Sequence, residues 1–256
     1  MKKTLLLTIF CCVLGTSSVY SQNSRSAKYK RPQTTSATRT KQQTSNNTQR
    51  QRQSSASSFD GQENGHGWVD LGLSVKWATC NVGANNPNDN GSYFAWGETQ
   101  TKSRYDWDTY KWCRGTSGSL TKYCINSAYG NLDNKTVLSL SDDAANANWG
   151  GAWRTPTKAE LEELRTKCTW TWNVINSVKG YKVTSNSNGK SIFLPANGWP
   201  NEGTVNRVGV FGSYWSSTIH NTFTFGASCI QFSSIEVKGN FAARCAAQSV
   251  RAVCPF

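Results

Sequence analysis

Beyond residue 60 apolar and polar positions alternate in short runs. Between residues 22 and 60 there are almost no aliphatic positions to alternate. Val69, Leu71, Leu73, Val75 and Trp77 recur at every second position, so residues 68–73 and 74–78 predict two short strands. Residues 85–91, Asn-Asn-Pro-Asn-Asp-Asn-Gly, have the composition of a loop. Residues 141–147 predict a short helix with Ser141 as N-cap and Asp142 and Asp143 in the first turn. A second helix follows Thr155-Pro156. Thr157 and Glu160 stand at the spacing of a capping box, and Ala159, Leu161 and Leu164 supply part of an apolar face. Residues 180–184 and 191–194 flank Ser187-Asn188-Gly189 and predict a hairpin. Further strands are expected at 212–217, 227–232, 235–237 and 249–253. Two short helices followed by many short, glycine-punctuated strands predict an α+β domain with antiparallel sheets.

The N-terminal region has a different character. Lys2 and Lys3, an apolar run from Leu5 to Leu14, and the small-x-small Val19-Tyr20-Ser21 predict a signal peptide over residues 1–21. Residues 22–60 are mainly Ser, Thr, Gln and Asn with scattered Lys and Arg. Such a segment buries too little apolar surface to offset its ordering entropy, so a disordered polar, basic linker is expected. Its functional counterpart would be association with an acidic envelope surface. Together these readings place the protein outside the cytoplasm: extracellular, on the cell surface or in the periplasm. No apolar run reaches the ~18 residues of a spanning helix, so no transmembrane segment is expected in the mature chain.

The formal net charge of +13 belongs largely to that linker. All 15 acidic residues lie at Asp60 or later, whereas ten of the 28 basic residues precede it. The remainder is nearly balanced, and specific nucleic-acid binding, which needs a basic folded face, is not expected.

Two of the nine cysteines, Cys11 and Cys12, fall in the signal peptide, leaving seven. Export permits disulfides, and an odd count leaves at least one thiol over. Cys113 and Cys124 flank a Gly/Ser-rich turn and form the first candidate pair; the loop closure would contribute about 3 kcal/mol in the chain-entropy account. Cys80 with Cys168 is the second candidate. Seven unpaired thiols is the competing reading.

Six blocks carry a family resemblance. They are Trp68-Val69-Asp70-Leu71-Gly72-Leu73-Ser74-Val75-Lys76-Trp77-Ala78-Thr79-Cys80-Asn81-Val82-Gly83-Ala84, then Tyr93-Phe94-Ala95-Trp96-Gly97-Glu98, then Trp153-Arg154-Thr155-Pro156-Thr157 through Leu164. Phe193-Leu194-Pro195-Ala196-Asn197-Gly198, Gly212-Ser213-Tyr214-Trp215-Ser216-Ser217-Thr218 and Ser249-Val250-Arg251-Ala252-Val253 complete the set. In order and spacing they resemble the Fibrobacter succinogenes major paralogous domain, over residues 65–254. The resemblance implies a domain at 65–256 with a C-type-lectin-like fold of the formylglycine-generating-enzyme group, carried by an exported protein. It implies no particular activity.

The Gly-x-Tyr-Trp-Ser-Ser block followed by an irregular stretch and Ser-Val-Arg also resembles the target proteins of diversity-generating retroelements. Mutation of template adenines reaches many residue types but not Lys, Glu, Gln, Trp or Met. Residues 219–229, Ile-His-Asn-Thr-Phe-Thr-Phe-Gly-Ala-Ser-Cys, all lie in the reachable set. On that resemblance Cys229 and Cys245 arise by mutagenesis, while Gln231, Glu236, Lys238 and Gln248 are template-fixed. The competing reading is an ordinary loop and strand of a static paralogue.

The chemistry of the residues favours binding over catalysis. A calcium-dependent sugar site needs oxygen ligands in Glu-Pro-Asn or Gln-Pro-Asp and Trp-Asn-Asp blocks, which the chain lacks. Asn86-Pro87-Asn88-Asp89 and Trp199-Pro200-Asn201-Glu202 read as turns. With two histidines and no Cys-x-x-Cys, neither a metal centre nor another cofactor is expected. Asp142-Asp143 and Glu162-Glu163 are adjacent on helices and diverge, so neither forms a carboxylate dyad. The chain is therefore expected not to be an enzyme. His220, Asn221, Phe223, Phe225, Ser228 and Phe241 supply the aromatic and small polar mix of a recognition surface. The expected function is an exported module that binds a protein or glycan at a cell surface through residues 219–247. A static structural or adhesin component of the envelope and a divergent formylglycine-generating-type enzyme are the alternatives.

Overall fold

A computed structural model describes residues 59–201 and 204–256. The signal-peptide reading and nearly all of the linker reading fall outside the described residues. Phe59 and Asp60, the end of the expected linker, belong to the folded unit. Asp60 accepts the Asp70 N–H at 2.8 Å and pairs with Lys190 at 2.8 Å.

Among the described residues the chain is α+β, with twelve strands in antiparallel pairs and two α-helices. Strands β1 (Gly61–Glu63), β2 (His66–Val69) and β3 (Lys76–Ala78) form a sheet in that order, closed by β12 (Val253–Cys254). Val253 pairs with Trp77, so the last strand locks onto one of the first. Helix α1 (Ala144–Trp149) and helix α2 (Lys158–Lys167) follow a long irregular stretch. Strands β4 (Cys168–Ile175), β5 (Val178–Ser185) and β6 (Ser191–Pro195) make a meander. Strands β7 (Trp199–Asn201) and β8 (Thr204–Asn206) form a small hairpin. Strands β9 (Phe211–Ile219), β10 (Gly226–Ser233) and β11 (Glu236–Ala243) form the last sheet, with β10 in its centre. No helix among the described residues is long and apolar enough to cross a membrane.

The capping box is as expected. Thr157 Oγ1 accepts the Glu160 N–H at 3.2 Å, and Glu160 Oε2 accepts the Thr157 N–H at 2.7 Å. Leu161 and Leu164 are the buried residues of α2 and join Trp77, Val183, Leu194 and Phe232 in one core. A second core gathers Trp96, Trp153, Trp215, Phe94 and Tyr123. Trp215 Nε1 donates to Phe94 O at 2.8 Å, which ties β9 to the segment after the 85–91 loop.

Several boundaries differ from the sequence reading. The N-cap of α1 is Asp143, not Ser141. Asp143 Oδ1 accepts the N–H of Ala145 at 2.8 Å and of Asn146 at 3.3 Å, whereas Ser141 lies within a 3₁₀ turn, Leu140–Asp142. A carboxylate surrounded by N–H groups out-competes the earlier hydroxyl. Strand β4 was not foreseen; pairing with β5 defines it, from Cys168↔Ser185 to Ile175↔Val178. Strand β11 runs well beyond 235–237 because β10 pairs with it along its whole length. The expected strand 249–253 contracts to Val253–Cys254. The strand expected at 68–73 stops at Val69: Asp70 Oδ1 accepts the Gly72 N–H at 2.7 Å, and residues 72–75 bend.

Neither expected disulfide is present: Cys80, Cys113, Cys124 and Cys168 are free thiols, as are Cys229, Cys245 and Cys254. Cys80 and Cys168 are buried in separate cores. The other two thiols turn to nearby backbone: Cys113 Sγ donates to Trp107 O at 3.1 Å and Cys124 Sγ to Asn126 O at 3.1 Å.

Candidate ligand-binding site

Strand β9 is buried along most of its length, and the chain leaves it at Ile219 for a tight loop before re-entering as β10. The loop is closed by its own backbone. His220 N–H donates to Gly226 O at 2.9 Å, and Gly226 N–H donates to Phe223 O at 2.7 Å. His220 Nδ1 accepts the N–H of Thr222 at 3.2 Å and of Phe223 at 3.0 Å. An imidazole nitrogen that accepts cannot carry the ring proton, so the neutral ring donates from Nε2. Burial, with the Lys158 charge adding to it, holds the His220 pKa below its ordinary value.

The loop gathers aromatic rings. His220 lies 4.3 Å from Phe241 and 5.3 Å from Phe223 between ring centroids. Phe223 lies 5.5 Å from Phe241 and 5.8 Å from Phe225. Phe225 continues to Tyr129, at 5.6 Å. Gly226 makes room for this cluster, because a Cβ there would stand 2.8 Å from the Phe241 ring. Phe223 is the most open member, 40% exposed.

Behind the cluster, α2 and the β10–β11 hairpin enclose a cleft of about 540 Å³. Lys158, Leu161, Glu162 and Arg165 line it from the helix; Ser228, Cys229, Ile230, Lys238, Gly239, Asn240 and Phe241 line it from the hairpin, with His220 between. Arg165 holds Glu162 with two hydrogen bonds, at 2.9 and 2.5 Å, and Lys238 pairs with Glu236 at 2.8 Å.

The six residues singled out in the sequence thus divide. His220 and Phe241 face the cleft, while Phe223 and Phe225 extend the aromatic cluster towards Tyr129. Asn221 is exposed in the loop. Ser228 is buried, and its hydroxyl donates to Ile219 O at 3.4 Å, so it serves the cleft floor. Much of the 219–247 segment is regular hairpin, and β10 is largely buried. The helix residues Lys158, Glu162 and Arg165 were missed. They precede the loop by more than fifty positions, and the only sequence signal was the capping box that placed α2.

No family model, curated protein or solved structure matches the chain.

Chemistry elsewhere is sparse. Burial pushes the Cys229 and Cys245 thiols up to about 12, which keeps both protonated and weakly nucleophilic near neutrality. Among the described residues no group of three or more His, Cys, Asp or Glu side chains is placed to hold a metal ion. Asn86 and Asp89 close a turn, with Asn86 Nδ2 donating to Asp89 Oδ2 at 2.9 Å. Trp199-Pro200-Asn201 is strand β7 rather than a turn.

Proposed function

We propose that this chain is an exported recognition module of C-type-lectin-like type, related to the major paralogous domain. It binds a protein or glycan at a cell surface. The observation that carries this reading is the aromatic cluster of His220, Phe223, Phe225 and Phe241, of which His220 and Phe241 line a cleft. Aromatic rings give large contact area at little entropy cost, and a loop held on a packed sheet presents them with little ordering left to do.

Diversification by a retroelement fits the same surface. The exposed side chains at 221–223 belong to the residue types such mutagenesis can write. Gln231 and Gln248, which it cannot write, flank Ser213 in a polar network: Ser213 Oγ donates to Gln248 Oε1 at 2.5 Å, and Gln231 Nε2 donates to Ser213 Oγ at 3.3 Å. On this reading the exposed loop positions 221–223 vary while Gln231 and Gln248 are fixed by their buried network; Glu236 and Lys238 are fixed although exposed, and Cys229 and Cys245 are written although buried.

The test is binding of the full chain to glycan and protein arrays, alongside the Phe223→Ala/Phe225→Ala double variant. Ligand capture by the native chain, lost in the double variant with thermal unfolding unchanged, is the expected result. Capture that survives in the variant, or depends only on residues 22–58, would replace this reading with a static envelope component.

A further inference from the structure

The cleft has an electrical asymmetry that narrows its ligand. Three cationic side chains line it, but two are already neutralised: Arg165 by Glu162 and Lys238 by Glu236. Lys158 Nζ makes no hydrogen bond or ion pair among the described residues; only the Lys158 backbone N–H is engaged, with Thr218 Oγ1 at 3.1 Å. The Lys158 charge reaches Glu162 and His220 only at longer range, without a direct contact, so it suits one negative charge from a ligand. A second would meet the carboxylate of Glu162.

Beside that cation stands an apolar wall. The Phe241 ring leans on His220 at 41° and lines the cleft with it. The face of an aromatic ring carries negative potential and attracts the weakly positive C–H face of a sugar. His220 adds a donor, since its Nδ1 is occupied by the loop and its Nε2–H has no acceptor among the described residues. The floor strand β10 is hydrogen-bonded on both sides, to β9 and β11, so a peptide ladder could form only on the outer edge of β11, away from that floor. A volume of about 540 Å³ lies within the range of small-ligand sites.

From these features we infer that the cleft binds a singly charged acidic sugar of a glycan. Its ring rests on Phe241 and its anionic group, a carboxylate or a sulfate ester, pairs with Lys158. This rests on the recognition reading above and names the ligand class for that site.

The experiment is titration of the full chain, followed by amide NMR shifts and calorimetry. The probes are a galactotriose in which one residue is galacturonate, a monosulfated galactotriose, neutral galactotriose and a hexapeptide with one Glu. The variants are Lys158→Gln, Lys158→Arg and Phe241→Leu. An acidic trisaccharide should shift the amides of Asn240 and Phe241. It should bind about tenfold more tightly than galactotriose, weaken about tenfold in Lys158→Gln, and recover in Lys158→Arg. Whichever acidic trisaccharide binds identifies the anionic group. Equal binding of galactotriose, preference for the peptide, or indifference to Lys158→Gln would overturn the inference. Lys158 is exposed and its side chain unpaired, so its variants test the proposal even if Phe241→Leu does not fold. If no sugar binds while the arrays yield a protein ligand dependent on Phe223 and Phe225, the inference falls and the recognition reading stands. If neither is found, both fall.

Discussion

Arg251 Nε donates to Asn81 Oδ1 at 2.8 Å, joining residues 170 positions apart. Both side chains are buried, and among the described residues no carboxylate accompanies the cation. The guanidinium instead donates to Ala78 O at 3.2 Å, Thr79 O at 2.9 Å and Phe193 O at 2.9 Å. Asn81 passes the contact on, donating to Asn90 O at 2.8 Å and Tyr214 Oη at 3.3 Å. One side chain near the C-terminus thus satisfies carbonyls at the end of β3 and in β6. These carbonyls lie in two blocks, 68–84 and 193–198, that the sequence presents as separate motifs.

Replacing Arg251 should therefore cost far more than a surface change. Lysine cannot reproduce a planar fork that serves four acceptors, so Arg251→Lys should lose about 3 kcal/mol in urea unfolding. Asn81→Ala should lose about 2 kcal/mol, and the double variant less than the sum, because the two share one network. Additive losses would show that the pair is not coupled.

Acid should open the binding loop before it unfolds the domain. The folded-state His220 pKa lies below the ordinary value, through burial and then Lys158. The loop's stabilisation is thus fully present above about pH 6.5 and is lost as pH falls through the lowered folded value. Protonating Nδ1 removes the acceptor of two N–H groups. The Thr222 and Phe223 amide resonances should move together with the imidazole titration as pH falls below about 6.5, and ligand affinity should fall with them. Amides that ignore the titration would refute the assigned tautomer.

The capping box supports a second acid transition. Burial raises the Glu160 carboxyl, but the Arg154 guanidinium, at 2.5 and 2.8 Å, and the Thr157 N–H outweigh it and leave the pKa below its ordinary value. Stability from Glu160 is present above about pH 4.5 and is lost as pH falls through the lower folded value. Thr157→Ala should cost about 1 kcal/mol at neutral pH. Glu160→Gln should flatten the loss of stability seen by urea unfolding below about pH 4.5.

Thiol labelling separates the cysteine arrangements directly. Six of the seven described cysteines are buried, and Cys113 is only partly so. In a chain prepared without residues 1–21, Cys113 should react first under non-reducing native conditions, and denaturant should release all seven remaining thiols. Five reactive thiols after unfolding would reveal one disulfide and contradict the free-thiol arrangement.

Local signals were legible wherever a short-range interaction decides the structure. Thr157 and Glu160 are three residues apart, so their reciprocal bonds could be read from the chain. The Ser187-Asn188-Gly189 turn fixed its hairpin in the same way, and Gly189 adopts a φ of +74° there. The alternation of apolar residues likewise placed most strands and the α+β class. Strand β11 was mostly hidden, because its lone run of Val-Lys-Gly-Asn carries little apolar pattern and β10 supplies the ladder. The Cys80–Cys168 pair failed because spacing along the chain says nothing about which core each thiol enters; Cys113 and Cys124 share a cluster, but each thiol turns to its own backbone carbonyl.

The candidate site divides along the same line. The sequence by itself determined the aromatic and polar residue types of the 220–241 segment and the helix that carries Lys158. Only the tertiary structure decided that Phe241 leans on His220, that Ser228 turns inward, and that α2 lays Lys158, Glu162 and Arg165 across the hairpin. Those relationships depend on how buried faces of distant elements pack. That is a property of side-chain volume and backbone pairing in three dimensions, which no local pattern in the chain encodes.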